Sequence, residues 1–483
     1  MSIRTTYQTV IGLEAHIQLA TESKAFCGDA AAFAGEPNTR VGAVSLGLPG
    51  TLSRLNERQI ELAVRLGLAL GCRIERESTF DRKNYFYADL PKGYQITQDR
   101  RPICVGGALP IRLPDGTRKD VRLHHIHMEE DAGKSIHDQD PAATLVDLNR
   151  AGTPLLEVVT EPDLRSPEEV DAFMTAMRRL VRYLGISDGN MQEGSLRCDV
   201  NISIMPVGAT EYGQRCEVKN LNSMRFARRA IDYEVKRQAK LLDAGGRVRQ
   251  QTRQFDPVTG TTSALRDKED AHDYRYFPDP DLPPVLLTAA YVEAERAALP
   301  ELPWEIYDRL RDEYGLSDYD AGLIYEDAET AAYYKVLTAA GAEPKAAANL
   351  LINQLLPACR AADLAPADLP VPAAALVELL SLIDAGKVAA STATGQLLTA
   401  LLEEPAARPA ALAAKLGLIQ SADTDFLADL ADEVIAAFPD KVAAYRKGKR
   451  GLLGFFMGEV MKRSKGKAEP KATQALLVKR LEH

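Results

Sequence analysis

The sequence predicts an α+β amino-terminal part followed by an all-helical carboxy-terminal part, and three observations carry that division. Up to about residue 290 the chain is rich in Gly, Asp, Asn and Arg. There, short β-branched runs such as "TLVDL" and "CDVNISI" alternate with a few helical segments, which is the texture of an α+β domain. From "LPPVLLTAAYVEAERAALPELP" onward the texture changes. Of the 60 residues from Ala361 to Gln420, 18 are alanine, with leucines at helical spacing, and this composition predicts helix throughout. Pro-containing joints at "ADLAPADLPVP" and "EEPAARPA" read as turns between those helices. A chain of 483 residues also exceeds what one hydrophobic core supports, so two to four domains are expected.

Composition then narrows the function classes. With 46% hydrophobic and 26% charged residues the chain reads as an ordinary globular protein. The opening "MSIRTTYQTVIGLEAH" has no cationic region followed by an apolar stretch, and no run approaches the roughly 18 apolar residues of a membrane span. A cytoplasmic location without membrane contact is expected. The six cysteines (27, 72, 104, 198, 216 and 359) are scattered and form no CxxC pair, which argues against a redox motif or a structural zinc and for reduced, mostly buried thiols. A net charge of −9 does not advertise nucleic-acid binding over the whole surface. The last 43 residues differ: Lys441 to His483 carries twelve Lys and Arg against three Glu, while Ser421 to Asp440 holds six carboxylates and no Lys or Arg. This basic tail reads either as a solvated helix face or as a contact for a nucleic-acid backbone.

Several strands pair an apolar face with acids or imidazoles. In "VIGLEAHIQL" alternation sends Glu14 and His16 to one side and Leu13, Ala15 and Ile17 to the other. "DRKNYFYADLPKGYQITQ", Asp81 to Gln98, combines aromatics, Lys83, Lys92 and turn signals; it suits a base-stacking platform, but the composition favours a core strand and its turn. "HHIHMEEDAGKSIH", His124 to His137, ends like a phosphate loop at Gly133-Lys134-Ser135, yet Met128 stands where the first glycine belongs and Glu129, Glu130 and Asp131 would repel phosphate. Carboxylates holding Mg²⁺ would remove that conflict, with Lys134 meeting a phosphate oxygen. Alternation puts His125, His127, Glu129 and Asp131 on one face and His124, Ile126, Met128 and Glu130 on the other. A glutamate entering from an apolar face needs a cation, which favours Glu130 as the ligand; a solvated strand end is the alternative. "RAGTPLLEVVTEPD" places Glu157 alone inside the apolar run Leu155 to Val159. Three such strands are what a metal site built on a sheet requires, although His16 also suits a satisfied core histidine.

Farther along, Arg197, Asp199 and Asn201 share a face of "EGSLRCDVNISI". "CEVKNLNSMRFARRAIDYEVKRQAKLL" then leads into a helix capped near Asn222 or Ser223 and ended by Gly245-Gly246. Arg225, Arg229, Lys236 and Lys240, spaced 4, 7 and 4, form one basic stripe on it, read first as solvated and otherwise as a surface for an acidic partner or RNA.

Taken together, "VIGLEAH", "FDRKNYFYADLPKGYQITQ", "HMEEDAGKSIH", "VDLNRAGTPLLEVVTEPDLRSPEE", "EGSLRCDVNISI", "EVKNLNS", "DYRYFPDPDLPP" and "LLGFFMGEVMKRSKGKAEPKA" closely resemble the B-subunit family of bacterial aspartyl/glutamyl-tRNA(Asn/Gln) amidotransferases. The resemblance implies a glutamine-synthetase-like cradle with a mostly antiparallel sheet over residues 1–292, a helical domain over 293–410 and a helical tRNA-binding tail over 411–483. It implies ATP-dependent amidation of mischarged Glu-tRNA(Gln), Asp-tRNA(Asn) or both: γ-phosphoryl transfer to the side-chain carboxylate, then displacement by ammonia from a glutaminase A subunit, with a small C subunit completing a heterotrimer.

The family's Mg²⁺ ligands match His16, Glu130 and Glu157, with Glu14 and Glu129 suited to a second ion. Glu130, Lys83 and Lys134 are the expected catalytic residues, the two lysines as phosphate contacts. Arg197, Asp199, Asn201 and Lys219 are expected around substrate or nucleotide, and Lys462, Arg463, Lys465 and Lys467 at the tRNA. One departure stands out. Where many family members carry a zinc knuckle, this chain keeps only Cys27, with Asp29, Gly42 and Ser45 at cysteine-like places, so no zinc is expected. Two other readings remain: a non-catalytic tRNA-binding subunit, against which the retention of His16, Glu130 and Glu157 speaks, and a stand-alone ATP-dependent carboxylate-amine ligase, which would have no use for the basic tail.

Overall fold

A computed structural model describes residues 6–137, 139–219, 221, 223–267, 274–420, 424–464 and 468–482. The chain divides into two compact units, Met1–Trp304 and Glu305–His483. The first is α+β. Among the described residues its centre is a ten-stranded sheet in which Tyr7–Gln18 lies between Leu196–Pro206 and Pro154–Thr160, with Arg118–Glu130 next beyond Pro154–Thr160. On the other side Leu196–Pro206 pairs with Cys216–Lys219, and then come Gln251–Asp256 and Thr261–Asp267. These pairs are antiparallel except Cys216–Lys219 with Gln251–Asp256, which run parallel.

Alternation decides which face of the sheet is covered. In the first strand Leu13, Ala15 and Ile17 are buried, while Glu14 and His16 turn to the opposite face and stay partly accessible. The apolar face joins residues of three helices, Glu57–Ala69, Pro167–Tyr183 and Met224–Asp243, in one core that unites Leu13 and Ile17 with Leu62, Phe173, Met177 and Ile231. Each fully buried aliphatic or aromatic side chain there contributes about 1.5–3 kcal/mol. All three helices start on a side-chain cap: Asn56 accepts from the Arg58 amide, Ser166 from Glu169 and Ser223 from Phe226. The expected cap at Ser223 is therefore made, while Asn222 lies outside the described residues; Gly245, at φ 75°, follows the helix end as expected.

The histidine strand departs from simple alternation. Its partner register jumps from Val159↔His125 to Thr160↔Leu123, which leaves His124 as the extra residue of a β-bulge. Val121 and Leu123 before the bulge and Ile126 and Met128 after it all reach the same core. His124, expected on the apolar face with Ile126, is instead exposed.

The second unit is helical among its described residues, as the alanine-rich composition predicts. Leu427, Ala431, Val434, Phe456, Val460, Leu477 and Leu481 form a core of their own. Within it the acidic helix Thr424–Ala437 faces the basic helices Leu453–Arg463 and Pro470–Glu482: Arg463 lies 3.8 Å from Glu433, and Arg480 lies 3.2 Å from Asp432. Part of the charge polarity of the tail is thus spent inside it. No helix among the described residues is long and apolar enough to cross a membrane.

Candidate active site

Register aligns the polar residues on the face turned away from the three helices. Arg197, His16, Glu157 and His127 stand side by side across four neighbouring strands, and Asp199 stands opposite Glu14 one step along. His16 Nε2 lies 3.3 Å from Glu157 and 3.6 Å from Glu129, and His127 Nε2 lies 3.4 Å and 3.7 Å from the same two acids. His16, Glu129 and Glu157 each offer a ligand atom, and these atoms lie within 4.8 Å of one another. Burial works against a charged His16, but its hydrogen bond to Glu157 and the charges of Glu157, Glu129 and Asp199 prevail and push its pKa up to about 9. His127 is also raised; burial opposes it, and Glu157 and Glu129 overcome that opposition. Glu157 is held well below the usual carboxylate range, its desolvation outweighed by His127, His16 and Lys83. His125 behaves in the opposite way: burial and the neighbouring His127 and His124 lower it to about 4.

Glu130 does not join this cluster. It is buried on the other side of the strand, where it accepts from the Ile96 amide at 3.0 Å and forms an ion pair with Lys92. The expectation that a glutamate entering an apolar face must meet a cation is sound, but the cation is Lys92, and the carboxylate turned to His16 and Glu157 is Glu129. Strand alternation is the reason, since consecutive residues face opposite ways.

A second acidic group lies beside the first. Glu14, Asp199 and Glu217 bring ligand atoms within 4.8 Å of one another, and Lys219 Nζ bridges Asp199 at 2.6 Å and Glu217 at 2.7 Å. Desolvation disfavours charge on Lys219, yet these two acids hold its pKa above the ordinary lysine value. Asn201 donates to Glu14 at 2.9 Å, while burial and the charges of Glu157 and Glu217 push Glu14 up. Glu14 and Glu129, paired by the sequence reading for a second ion, thus belong to separate clusters. A cavity of about 280 Å³ touches members of both clusters, lined by Glu14, His16, Lys83, Glu157, Lys219 and Tyr274 among others. Arg197 reaches Asp131 at 2.9 Å, and Gln18 donates to the same acid at 2.7 Å.

Of the other expected residues, Lys134 is exposed on a short strand opposite Asp147 and does not line this cavity. Lys462 and Arg463 are exposed in the second unit, and Lys465 and Lys467 lie outside the described residues. Sequence reasoning passed over Glu217, and it named Asp131 and Lys92 without giving either a place in the site. For Glu217 a signal existed, because it stands two residues before Lys219 and shares its strand face. The four knuckle positions do converge: Asp29 accepts from the Gly42 amide and from Ser45 Oγ, both at 2.7 Å, and Cys27 Sγ lies 3.5 Å from Ser45 Oγ. Buried Lys24 donates to the Arg40 carbonyl at 2.7 Å and to Ser45 at 3.4 Å.

The signature of the GatB/GatE catalytic domain matches residues 9–293, and that of the GatB domain matches residues 332–481. The chain belongs to the GatB family. It is 48% identical over 481 residues to the B subunit of the aspartyl/glutamyl-tRNA(Asn/Gln) amidotransferase of Geobacter sulfurreducens, an alignment covering 98% of this chain and 99% of that protein. It is 50% identical over 482 residues to the protein of the same name from Anaeromyxobacter sp., with the same two coverages. Both acidic clusters fall inside the GatB/GatE catalytic match, and Lys462 and Arg463 fall inside the second match.

Proposed function

We propose that this GatB-family chain is the phosphorylating and amidating subunit of a tRNA-dependent amidotransferase, acting on Glu-tRNA(Gln), Asp-tRNA(Asn) or both. One observation carries the reading: an imidazole and two carboxylates converge beside a cavity lined by Lys83 and Lys219, in a chain half-identical along its length to proteins of that name. A carboxylate resists ammonia because hydroxide leaves poorly. Transfer of the γ-phosphoryl of ATP to its oxygen releases ADP and makes an acyl phosphate; ammonia then attacks the acyl carbon, loses a proton, and phosphate departs. The chain needs no nucleophile of its own, since positioning and charge do the work.

His16, Glu129 and Glu157 supply the nitrogen and oxygen donors that a divalent cation accepts, and carboxylate-rich sets suit Mg²⁺. Mg²⁺ held there would neutralise charge developing between ATP and the acyl oxygen. Lys83 offers its ammonium to the transferred phosphate from the cavity wall. Lys219, kept cationic by Asp199 and Glu217, stands ready for a second phosphate or for the substrate carboxylate. Arg197 and Asn201 hold Asp131 and Glu14 in place.

Zinc is not part of this reading. Of the four knuckle positions only Cys27 offers a thiol, burial raises its pKa, and Asp29 already accepts two hydrogen bonds. The reading includes a glutaminase A subunit and a small C subunit in a cytoplasmic heterotrimer. It also includes a glutamine-synthetase-like cradle up to about residue 292, a helical domain to about 410 and a tail from 411 that uses Lys462 and Arg463 on tRNA.

The test is transfer of labelled γ-phosphate from ATP to Glu-tRNA and to Asp-tRNA by the assembled enzyme with free ammonia, beside a Glu129→Gln variant. Phosphoryl transfer and amide formation by the native enzyme, absent in the variant, are expected. Intact tRNA binding with no transfer to either tRNA would reduce the chain to a binding subunit.

A further inference from the structure

Four tyrosines run in file past the cavity that His16 and Glu157 line. Tyr276, Tyr274, Tyr85 and Tyr87 follow one another with ring centroids 5.9, 6.1 and 5.7 Å apart, neighbouring rings meeting edge to face. Tyr274 and Lys83 line the cavity itself, and Lys83 Nζ stands 5.1 Å from the Tyr274 centroid and 5.9 Å from that of Tyr85. Tyr85 donates to Gln95, which donates in turn to Glu129, so the file is tied to the acidic centre. Its outer members are open to solvent: Tyr87 is 62% exposed and Tyr276 is 36% exposed. None of the four lies on a strand: Tyr85 and Tyr87 follow Asp81–Asn84, and Tyr274 and Tyr276 precede Phe277–Pro278, so the two inner rings are half-buried and the two outer ones are presented.

Aromatic faces beside an ammonium are the groups that hold unpaired bases and the phosphates between them, since every base has a face to stack and every linkage a charge to meet. The file extends over four rings and ends in solvent, which suits a polymer end entering from outside better than a free nucleotide enclosed on all sides. The proposed reaction also requires that geometry. The amino-acid carboxylate must reach His16 and Glu157, which leaves the nucleoside that carries it close by, and Tyr274 and Lys83 line the same cavity. We infer that the tyrosine file and Lys83 form the stacking seat for the unpaired 3′ end of the aminoacylated RNA, an assignment that rests on the proposed function.

The experiment compares binding of intact tRNA, and of tRNA trimmed of its unpaired 3′ nucleotides, to the assembled enzyme carrying native Tyr87, Tyr87→Ala or Tyr87→Phe. Trimming weakens binding to the native enzyme about tenfold or more, and Tyr87→Ala weakens intact tRNA by about tenfold while leaving trimmed tRNA unchanged. Tyr87→Phe retains native binding, and Tyr276→Ala repeats the Tyr87→Ala pattern. Equal weakening of intact and trimmed tRNA overturns the seat, as does a raised KM for ATP with tRNA binding unchanged, or loss of subunit assembly in Tyr87→Ala. Amidation is scored in the same samples. Its absence from the native enzyme removes the proposed function, whereas native amidation with a Tyr87→Ala effect that ignores trimming removes only the seat.

Discussion

Glu129 and Glu130 are adjacent, both buried, and turned to different partners. Glu129 faces His16 and Glu157, and Glu130 faces Lys92. Glu129→Gln is therefore expected to abolish divalent-cation binding, read as the loss of bound Mn²⁺ in a paramagnetic-resonance titration, while Glu130→Gln keeps the ion. The opposite pattern would restore the ligand expected from sequence. Glu130→Gln has a separate consequence, because it leaves the ammonium of Lys92 buried without its partner. Breaking such a pair costs about 3–5 kcal/mol, which should appear as a lower midpoint in urea unfolding. Sequence alone carried the reasoning as far as a buried acid that needs a cation. It could not choose between two adjacent acids, since the two possible cations, a bound ion and a lysine 38 residues away, leave the same local pattern.

Whole strands were more legible than their exceptions. The first strand alternates without interruption, so Glu14 and His16 could be placed on one face from residue types alone. The histidine strand looks equally regular in sequence, but the bulge at His124 depends on the register of the partner strand, which no single segment encodes. The helix Met224–Asp243 hides a second non-local feature. Its basic stripe was visible in sequence, whereas Glu234, fully buried and bound by Arg237, Arg253 and Thr262, was not, because Arg253 and Thr262 come from later strands. Burial tends to raise the Glu234 pKa, but Arg237, Thr262 and Arg253 reverse that and hold it below the ordinary value. The sign follows from the depressed pKa: the stabilisation is present above the unfolded carboxylate pKa of about 4.5 and is lost as pH falls through the folded value. Glu234→Gln should cost about 3 kcal/mol at neutral pH and should flatten the acid limb of the pH–stability curve. An equally steep limb in the variant would assign the acid sensitivity to other groups.

At the scale of the molecule, the change from mixed to helical structure was readable because composition changes with it, and the charge reversal at the tail was readable for the same reason. How much of that charge remains for a partner was not readable. Arg463 and Arg480 pair with acids of the neighbouring helix, and Arg450 pairs with Glu482 at 2.9 Å, while Lys462 is exposed. An Arg463 that lies 3.8 Å from an exposed carboxylate is held by less than about 1 kcal/mol, so a phosphate can take it over. Each phosphate contact releases counterions and contributes about one unit to the slope of log affinity against log salt. The Lys462→Ala, Arg463→Ala double variant should then weaken tRNA binding at low salt and lower that slope by about two, without changing any Mn²⁺ binding at His16, Glu129 and Glu157. An unchanged slope would mean that the exposed charge of this helix is only solvated and that the tRNA is held elsewhere. A lost Mn²⁺ site would mean that the two units are energetically coupled, and the tail could then no longer be treated as a separate electrostatic handle on the RNA.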